Sequence, residues 1–486
     1  MVTSVISVRI RRLLMLTYTF AHGEKKPLYE QLTDFIKMDI STGVVPAGTK
    51  LPSKRAFAEH LGISTITVET AYQQLIAEGY IHSVPRSGYY VSDIDPNRSG
   101  LSVASKQKAP AMISEEPEKQ NKWMIDFSGN ETAPDTFPFQ TWAKLIREVL
   151  SGQTKELVKT SPGIGIRSLR EAIATHLYHF RGMNVDPGCI IIGAGTEYLY
   201  GLLIQLLGFD RTYGVEDPGH QKIPMIYEQN GVICRHLSIK EPGITPEMLE
   251  QEHVDILHIS PAHHFPTGRV MPIRQRLSLL KWASEGKDRY IIEDDYDSEF
   301  RMVGQPIPSL LASDHSGKVI YMNTFTKTLV STVRISYMVL PRKLMQLFLE
   351  RLSFYSCTVS NFEQYTLAAF LEKGYFEKHL NRMRTYYHNK RDRILKLLTE
   401  SPLAPSLRIT EADAGLHFLL LLDMNMTDQS FTDLLAAEGI RITPLSDYYH
   451  DPSDAPEHIF IVNYSSLSEE HLPDAAEKMA QLLRKE

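Results

Sequence analysis

Residues 291–301 read IIEDDYDSEFR and residues 319–328 read VIYMNTFTKT, and these two stretches predict the fold of the larger part of the chain. Each opens with an apolar run that is typical of a buried strand and then passes into polar residues. Asp294 follows the first run and Lys327 follows the second. Ligands of open α/β sheets bind beyond the carboxyl ends of the strands. We therefore expect this carboxylate and this amine to face one ligand.

Apolar runs of the same kind occur elsewhere in this part of the chain, at residues 189–192, 212–215 and 254–259, and the run before Asp294 covers residues 289–292. Helical patterns lie between them, for example at residues 165–180 and 274–283. Such alternation is typical of a mainly parallel sheet covered by helices on both faces. The sequence therefore predicts the α/β fold class for residues 123–486.

A lysine close to a carboxylate is the arrangement that pyridoxal 5′-phosphate (PLP) requires. The lysine forms a Schiff base with the cofactor, and the carboxylate keeps the pyridine nitrogen protonated so that the ring accepts electrons. Taken singly, Lys327 is no different from a surface lysine and Asp294 from a capping residue. The motifs that surround the two residues decide between a PLP site and these ordinary roles.

These motifs are SPGIGIRSLR at 161–170, IIGAGTE at 191–197, VEDPG at 215–219, PAHHFPTG at 261–268 and TFTKTL at 324–329. Together with residues 293–301 they resemble the fold type I PLP-dependent aminotransferases, and most closely the regulator branch called the MocR family. The resemblance implies a sheet domain followed by a smaller C-terminal α+β part. It also implies that Lys327 is the Schiff-base lysine, that Asp294 pairs with the pyridine nitrogen, and that Tyr296 contacts the phenolic oxygen.

The same resemblance implies a phosphate site. Gly195, Thr196 and Glu197 are expected to open a helix whose N–H groups hold the phosphate. Further phosphate donors are implied at Thr324, Thr326 and Arg334. His220 stands where the family places a tyrosine that stacks on the cofactor ring.

The last predicted strand, residues 458–467, has no arginine. Fold type I enzymes place there an arginine that binds the carboxylate of the substrate. His458, Asn463 and Tyr464 occupy the strand instead, and Arg408 and Arg441 are the nearest arginines that could replace the missing one. We therefore expect weak binding of ordinary amino acids. The alternative is that Arg408 or Arg441 folds into the site.

The head of the chain has a different pattern. The motifs are LPSKR at 51–55, LGIS at 61–64, TVETAY at 67–72 and RSGYYV at 86–91. Their spacing predicts a helix-turn-helix followed by a β-hairpin wing. They resemble the GntR-type winged helices, in which the third helix enters the major groove of DNA and the wing touches the minor groove or the backbone.

DNA contacts are expected from the start of the second helix, from the first turn of the third helix and from the wing. Ser53, Lys54 and Arg55 are suited to phosphate, and Ser64, Thr65 and Thr67 to base edges. The wing contributes Arg86, Ser87 and Gly88. From residue 27 to residue 92 five Lys/Arg stand against six Asp/Glu, a net of −1. A winged helix used for protein contacts is therefore the alternative.

Composition divides the chain of 486 residues. We predict a flexible basic tail at 1–22, a winged helix-turn-helix domain at 23–92, a linker at 93–122 and an aminotransferase-like domain at 123–486. Translation could start at Met1 or at Met15. The chain has three cysteines, and they lie far apart in the sequence. This spacing fits neither a disulfide framework nor a zinc site. We expect no metal site, no signal peptide and no membrane span. We expect a cytoplasmic location.

Three functions remain open at this stage. The first is a transcription regulator that binds a double-stranded DNA operator as a homodimer and senses an amine, or PLP itself, through its larger domain. The second is an active aminotransferase with an accessory winged helix. The third is a body that has lost its cofactor and only dimerises. Asp294, Tyr296 and Lys327 stand in register and argue against the third, and the fused winged helix favours the first, with at most partial transaminase activity.

Overall fold

The computed structural model describes residues 16–20, 26–94, 123–302 and 304–484. Contacts divide the chain into two compact units, residues 1–118 and residues 119–486, here called the head and the body. Most of the predicted tail and nearly all of the predicted linker lie outside the described residues. The head and the body are therefore described separately.

The head is a three-helix unit with a hairpin, as predicted. Its elements are α1 (Leu28–Ser41), α2 (Lys54–Leu61), α3 (Thr65–Ala77), β1 (Ile81–Val84) and β2 (Gly88–Val91). The Ser53 hydroxyl caps α2 by accepting from the Ala56 amide, and the Ser64 hydroxyl caps α3 by accepting from the Thr67 amide. Between these two helices, Gly62 takes the left-handed conformation that a tight turn requires.

Residues 16–20 differ from the flexible tail that the sequence predicts, because they pack on the head. Leu16 is 9% exposed and belongs to the core of the head. The Tyr18 ring stacks on Phe35 at a centroid distance of 5.1 Å, and its hydroxyl donates to the Asp39 carboxylate at 2.7 Å. Five residues are too few for a periodic pattern, so only the folded head shows that these side chains cover α1.

The body contains most of the secondary structure. Its helices are α4 (Phe139–Gly152), α5 (Thr154–Leu157), α6 (Arg167–Arg181), α7 (Thr196–Leu207), α8 (Lys222–Gln229), α9 (Pro246–Gln251), α10 (Ile273–Glu285), α11 (Arg342–Arg351), α12 (Asn361–Glu372), α13 (Tyr375–Thr399), α14 (Asp428–Ala437) and α15 (Leu472–Arg484). Its strands are β3 (Ile125–Asp126), β4 (Ile190–Gly193), β5 (Thr212–Asp217), β6 (Ile233–Ser238), β7 (Ile256–Ile259), β8 (Tyr290–Asp294), β9 (Val319–Thr324), β10 (Ser336–Val339), β11 (Leu407–Thr410), β12 (His417–Leu422), β13 (Ile440–Arg441), β14 (Thr443–Pro444) and β15 (Ile459–Asn463).

Seven strands form the main sheet in the order β4-β10-β9-β8-β7-β5-β6. The strands β9, β8, β7, β5 and β6 run parallel to one another, whereas β10 is antiparallel to both β4 and β9. Alternate side chains of β4 enter different clusters: Ile190 and Ile192 pack with α6 and α12, and Ile191 packs with α7 and α11. Helices therefore cover both faces, and the predicted mainly parallel α/β fold is confirmed.

The C-terminal part is a smaller α+β layer, also as predicted. Its antiparallel sheet has the order β11-β12-β15-β14. Apolar side chains of β12 and β15 pack against α13, α14 and α15 in one core cluster that includes Phe418, Phe460 and Met479. The short strand β3 joins this part by pairing in parallel with β13. Among the residues that the structure describes, no helix is long and apolar enough to cross a membrane.

Candidate functional site

A cavity of about 480 Å³ lies at the carboxyl end of the main sheet. All ten residues that the sequence assigns to the cofactor line this one cavity. They are Gly195, Thr196, Glu197, His220, Asp294, Tyr296, Thr324, Thr326, Lys327 and Arg334. Topology explains the convergence, since β8 ends at Asp294 and its parallel neighbour β9 ends at Thr324, three residues before Lys327.

Asp294 is buried and offers one free oxygen. Its Oδ2 accepts from the Tyr200 hydroxyl at 2.5 Å and lies 3.5 Å from Nε2 of His258. Its Oδ1 is buried and has no hydrogen-bond partner among the described residues. A buried acceptor without a donor is costly unless a ligand supplies one, and a protonated ring nitrogen is such a donor.

Three residues that the sequence analysis missed support this carboxylate. Tyr200 of α7 donates to it, and the Tyr227 hydroxyl of α8 lies 2.7 Å from Nδ1 of His258 on β7. Burial, and then Asp294, raise the pKa of Tyr200 well above its ordinary value, so its hydroxyl remains a donor. No sequence motif connects these positions, because they come from three separate elements.

Lys327, like Lys222, lines the cavity. Its Nζ donates to the backbone carbonyl of Asn130 at 2.9 Å and also to the Asn130 side-chain oxygen. Burial lowers the pKa of Lys327 to about 8. A lysine with such a pKa is neutral in a sizeable fraction of molecules near neutral pH, and the neutral amine is the nucleophile. Asn130 was not predicted, since it precedes the sheet by about sixty residues.

The start of α7 is suited to an anion. Gly195 precedes it with φ of +95°, and a Cβ atom there would lie 2.5 Å from Nη2 of Arg334. Glycine therefore keeps the helix N-terminus open to a ligand, where backbone N–H groups bind phosphate. The Thr324 hydroxyl bonds the Thr326 hydroxyl at 2.8 Å, and both line the same cavity.

Glu197 balances the positive charge at this end of the cavity. Its carboxylate pairs with Lys222 at 2.5 Å and with Arg334 at 3.2 Å. These partners, Lys222 first, lower the pKa of Glu197, so it is a carboxylate at neutral pH. Lys222 is a further residue that the sequence analysis missed.

Tyr296 and His220 also line the cavity. The Tyr296 hydroxyl lies 3.2 Å from Nδ1 of His263. Burial lowers the pKa of His220, which leaves a neutral ring, and this ring lies 5.7 Å from the Phe265 ring. The free Oδ1 of Asp294, the half-buried Lys327 and the open N-terminus at Gly195 match the nitrogen, the aldehyde and the phosphate of PLP, so the residues fit that cofactor.

The predicted substitutes for the missing arginine do not line the cavity. Arg441 lies 3.6 Å from Asp126, and Arg408 is exposed on β11. On β15 and just after it, Asn463 donates to the Ser128 carbonyl, and Tyr464 donates to the Gly415 carbonyl at 2.6 Å. Within the described chain, Arg334 is the only arginine of the cavity wall.

The residues that the sequence predicts to contact DNA differ in how exposed and how engaged their side chains are in the head. Arg55 is exposed, and no ion pair to it is found in the part of the chain that the structure describes. Lys54 instead pairs with Glu69 and lies over the Tyr89 ring at 5.8 Å. On the wing, Arg86 has φ of 62° and is exposed, the Ser87 hydroxyl bonds the Tyr90 hydroxyl, and Gly88 lies against Lys50.

In the first turn of α3, some of the predicted DNA-contacting side chains bond within the head and others are exposed. The Ser64 hydroxyl bonds the Thr67 hydroxyl at 2.8 Å in addition to the capping bond. Thr65 is exposed, and Ile66, which was not predicted as a contact, is 75% exposed. Thr65 and Ile66 therefore have freer side chains than Ser64 and Thr67.

Comparison with known proteins agrees with these two units. Residues 122–479 match the model of aminotransferase class I and II, and residues 28–91 match that of bacterial regulatory proteins of the gntR family. An archaeal alanine:glyoxylate aminotransferase superimposes with a TM-score of 0.65 at 26% identity, covering 74% of this chain and 91% of that one.

Two relatives extend over both units. YdeL of Bacillus subtilis (strain 168), described as an uncharacterized HTH-type transcriptional regulator, is 36% identical over 93% of this chain and 96% of its own. The probable rhizopine catabolism regulatory protein MocR of Rhizobium meliloti is 31% identical over 91% of this chain and 90% of its own. The class is thus a GntR winged helix fused to an aminotransferase-like body. The chain belongs to the MocR family of transcription regulators.

Proposed function

We propose that the protein is a PLP-binding transcription regulator that binds operator DNA through its head and senses a small molecule through its body. The observation that carries the proposal is the cavity that gathers the buried Oδ1 of Asp294, which has no partner among the described residues, the amine of Lys327 and the open N-terminus of α7. The limits of the two functional domains, 23–92 and 123–486, belong to the same proposal.

Each group of the cavity has a task in this proposal. Lys327 is the attachment point, Asp294 pairs with the pyridine nitrogen, and Tyr296 donates to the phenolic oxygen. Gly195, Thr196 and the backbone of Glu197 hold the phosphate together with Thr324, Thr326 and Arg334, and His220 stacks on the ring. When bound, PLP supplies an aldehyde that captures primary amines and a ring that accepts electrons.

The effector that this cavity favours is an amine without a carboxylate. The charged side chains of the wall include the carboxylates of Asp217 and Glu228, whereas Arg334 and Lys222 are already paired with Glu197. Burial raises the pKa of Glu216, a further acid of the wall, to about 8, so it is largely uncharged at neutral pH. A free carboxylate on the effector would therefore meet no bidentate arginine partner. PLP arriving at an empty site is the alternative signal.

The lack of an arginine partner also bears on the aminotransferase alternative. An amino acid substrate that is held by its amine alone is poorly oriented for transamination. We therefore propose partial transaminase activity at most. A cytoplasmic location and a homodimer formed through the body complete the proposal, and the dimer brings two heads to two operator half-sites.

One experiment tests the regulator function. The purified full-length protein is scanned for the visible absorbance of bound PLP and is then used to enrich fragments of genomic DNA in the presence and absence of added PLP. We expect a yellow protein and enrichment of a small set of fragments, with binding that depends on PLP or on an amine. A colourless protein that binds no DNA selectively would contradict the proposal, as would rapid steady-state transamination.

A further inference from the structure

Directly behind Tyr296 lies a buried pair of side chains to which the proposed function gives no task. Nδ1 of His263 lies 2.8 Å and 3.0 Å from the two carboxylate oxygens of Asp297. The same nitrogen lies 3.2 Å from the Tyr296 hydroxyl. His263 and Asp297 are 5% and 4% exposed, so both side chains are buried.

The proton positions of this cluster follow from its chemistry. A carboxylate only accepts hydrogen bonds, so Nδ1 of His263 must carry the hydrogen that points at Asp297. Burial by itself would lower the pKa of His263, but the charge of Asp297 outweighs it and the pKa is raised. Because Nδ1 carries a hydrogen, it does not accept one from Tyr296. Burial, and then Asp297, raise the pKa of Tyr296 well above its ordinary value, so Tyr296 stays a phenol that can donate.

The surroundings hold the pair in place. Gly415 has φ of +70°, and a Cβ atom there would lie 2.1 Å from Cε1 of His263 and 2.7 Å from Oδ2 of Asp297. Backbone of the C-terminal part therefore closes over the pair at a position that tolerates only glycine. The neighbouring His417 ring, 5.1 Å from that of His263, is buried with a lowered pKa and bonds the Pro266 carbonyl.

We propose that Asp297 and His263 are positioning residues, which keep the Tyr296 hydroxyl a hydrogen-bond donor directed at the phenolic oxygen of PLP. The inference rests on the proposed function, because it concerns how that cavity holds its cofactor. If Nδ1 of His263 lost its hydrogen, it would become an acceptor and would compete with the cofactor for the Tyr296 hydrogen.

The test compares PLP with its 3-deoxy analogue, which has no phenolic oxygen. Dissociation constants of both ligands are measured by equilibrium dialysis for the full-length wild-type protein and for Asp297→Asn and Tyr296→Phe. We expect each substitution to weaken PLP about tenfold, as the loss of one good hydrogen bond does. We expect both to leave the affinity for the 3-deoxy analogue unchanged within about twofold, since that ligand never received the bond.

Glu299→Gln is the matched control. Glu299 is a buried carboxylate two residues further along, and one of its oxygens accepts from Asn323. We expect this variant to bind both ligands like the wild type. Thermal melting of the ligand-free proteins checks that each variant is folded, and if Asp297→Asn does not fold, Asp297→Ala is used in its place with the same expected pattern.

The outcomes separate the inference from the proposed function. The charge of Asp297 partly offsets the effect of burial on the pKa of Lys327. If Asp297→Asn weakens the binding of both ligands equally, Asp297 acts through Lys327 or through the fold. If the variant binds PLP like the wild type, Asp297 does not act at all. Either result overturns the inference while PLP binding stands. A wild-type protein that binds neither ligand contradicts the proposed function, and the inference falls with it.

Discussion

At the residue scale, Lys327 and Asp294 have properties that they would not have on a surface. Burial lowers the pKa of the Lys327 amine to about 8, and the Asp294 carboxylate keeps a buried oxygen without a partner among the described residues. Both features are costly in a folded protein unless a ligand uses them. They therefore point to a binding site and not to a device that stabilises the fold.

Lys327→Ala should abolish covalent attachment of PLP. Borohydride treatment of the wild-type protein incubated with PLP is expected to fix one cofactor per chain on the peptide that contains Lys327, and the variant is expected to carry none. Mass spectrometry of the digested protein measures the adduct. An adduct on another lysine, such as Lys222 of the same cavity, would refute the assignment.

The rate of covalent capture should depend on pH. Only the neutral amine attacks the aldehyde, and the folded-state pKa of Lys327 is lowered from its ordinary value to about 8. The rate constant for PLP capture should therefore rise as pH increases towards about 8 and level off above it. Stopped-flow absorbance between pH 6 and pH 10 gives the profile, which a midpoint near the ordinary lysine value would contradict.

Arg55→Ala should weaken binding to any DNA more than Lys54→Ala does. Arg55 is exposed and free to reach a phosphate, whereas Lys54 is held by Glu69. Loss of one phosphate contact lowers the affinity for all DNA sequences by a similar factor. It also reduces the slope of log binding constant against log salt concentration by about one. Fluorescence anisotropy with unrelated duplexes at several salt concentrations measures both quantities. Thr65→Ala serves as the contrast, because a base contact should change sequence preference instead.

At the element scale, the head depends on a segment that precedes its helices. Leu16, Tyr18 and Phe20 pack against the head core, and Tyr18 bridges Phe35 and Asp39 of α1. The segment has no regular secondary structure. Its contribution is therefore one of side-chain packing, which stabilises α1 from outside.

Tyr18→Ala should destabilise α1 by about 2 kcal/mol, because a buried aromatic contact and a hydrogen bond are both lost. Hydrogen exchange of the full-length protein should show faster exchange in α1 and unchanged exchange in the body. A chain that starts at Met15 should behave like the wild type, while a chain that starts at Lys26 should resemble Tyr18→Ala. Equal protection of α1 in all four proteins would show that the segment does not matter.

At the scale of the whole molecule, the proposed preference for an amine without a carboxylate predicts which effectors bind. Ordinary amino acids such as glutamate, alanine and 4-aminobutyrate should bind only in the millimolar range, or about −4 kcal/mol. The reason is that Arg334, the arginine that the described residues contribute to the cavity wall, is already paired with Glu197. Carboxylate-free primary amines of similar length should bind more tightly. Absorbance changes of the PLP-loaded protein and its DNA affinity report binding, and micromolar binding of a common amino acid would contradict the prediction.

Much of the site could be predicted because PLP chemistry leaves a pattern within single motifs. Asp294, Tyr296 and Lys327 follow strands, and Gly195 opens a helix, so local sequence suffices to find them. Tyr200, His258, Asn130 and Lys222 were not predictable, because their roles arise from contacts between elements far apart in the chain. The same holds for Arg408 and Arg441, whose exclusion from the cavity depends on the pairing of β11 and β13.

What the sequence determined by itself is therefore the pair of units, the α/β class of the body and the ten residues that line its cavity, since periodicity and strand-end motifs are local properties. The tertiary structure alone decided that β10 runs antiparallel between β4 and β9, that residues 16–20 pack on the head, and that His263 meets Tyr296 and Asp297. Each of these is a contact between residues distant in sequence, and such contacts depend on how buried surfaces fit together and not on any local pattern.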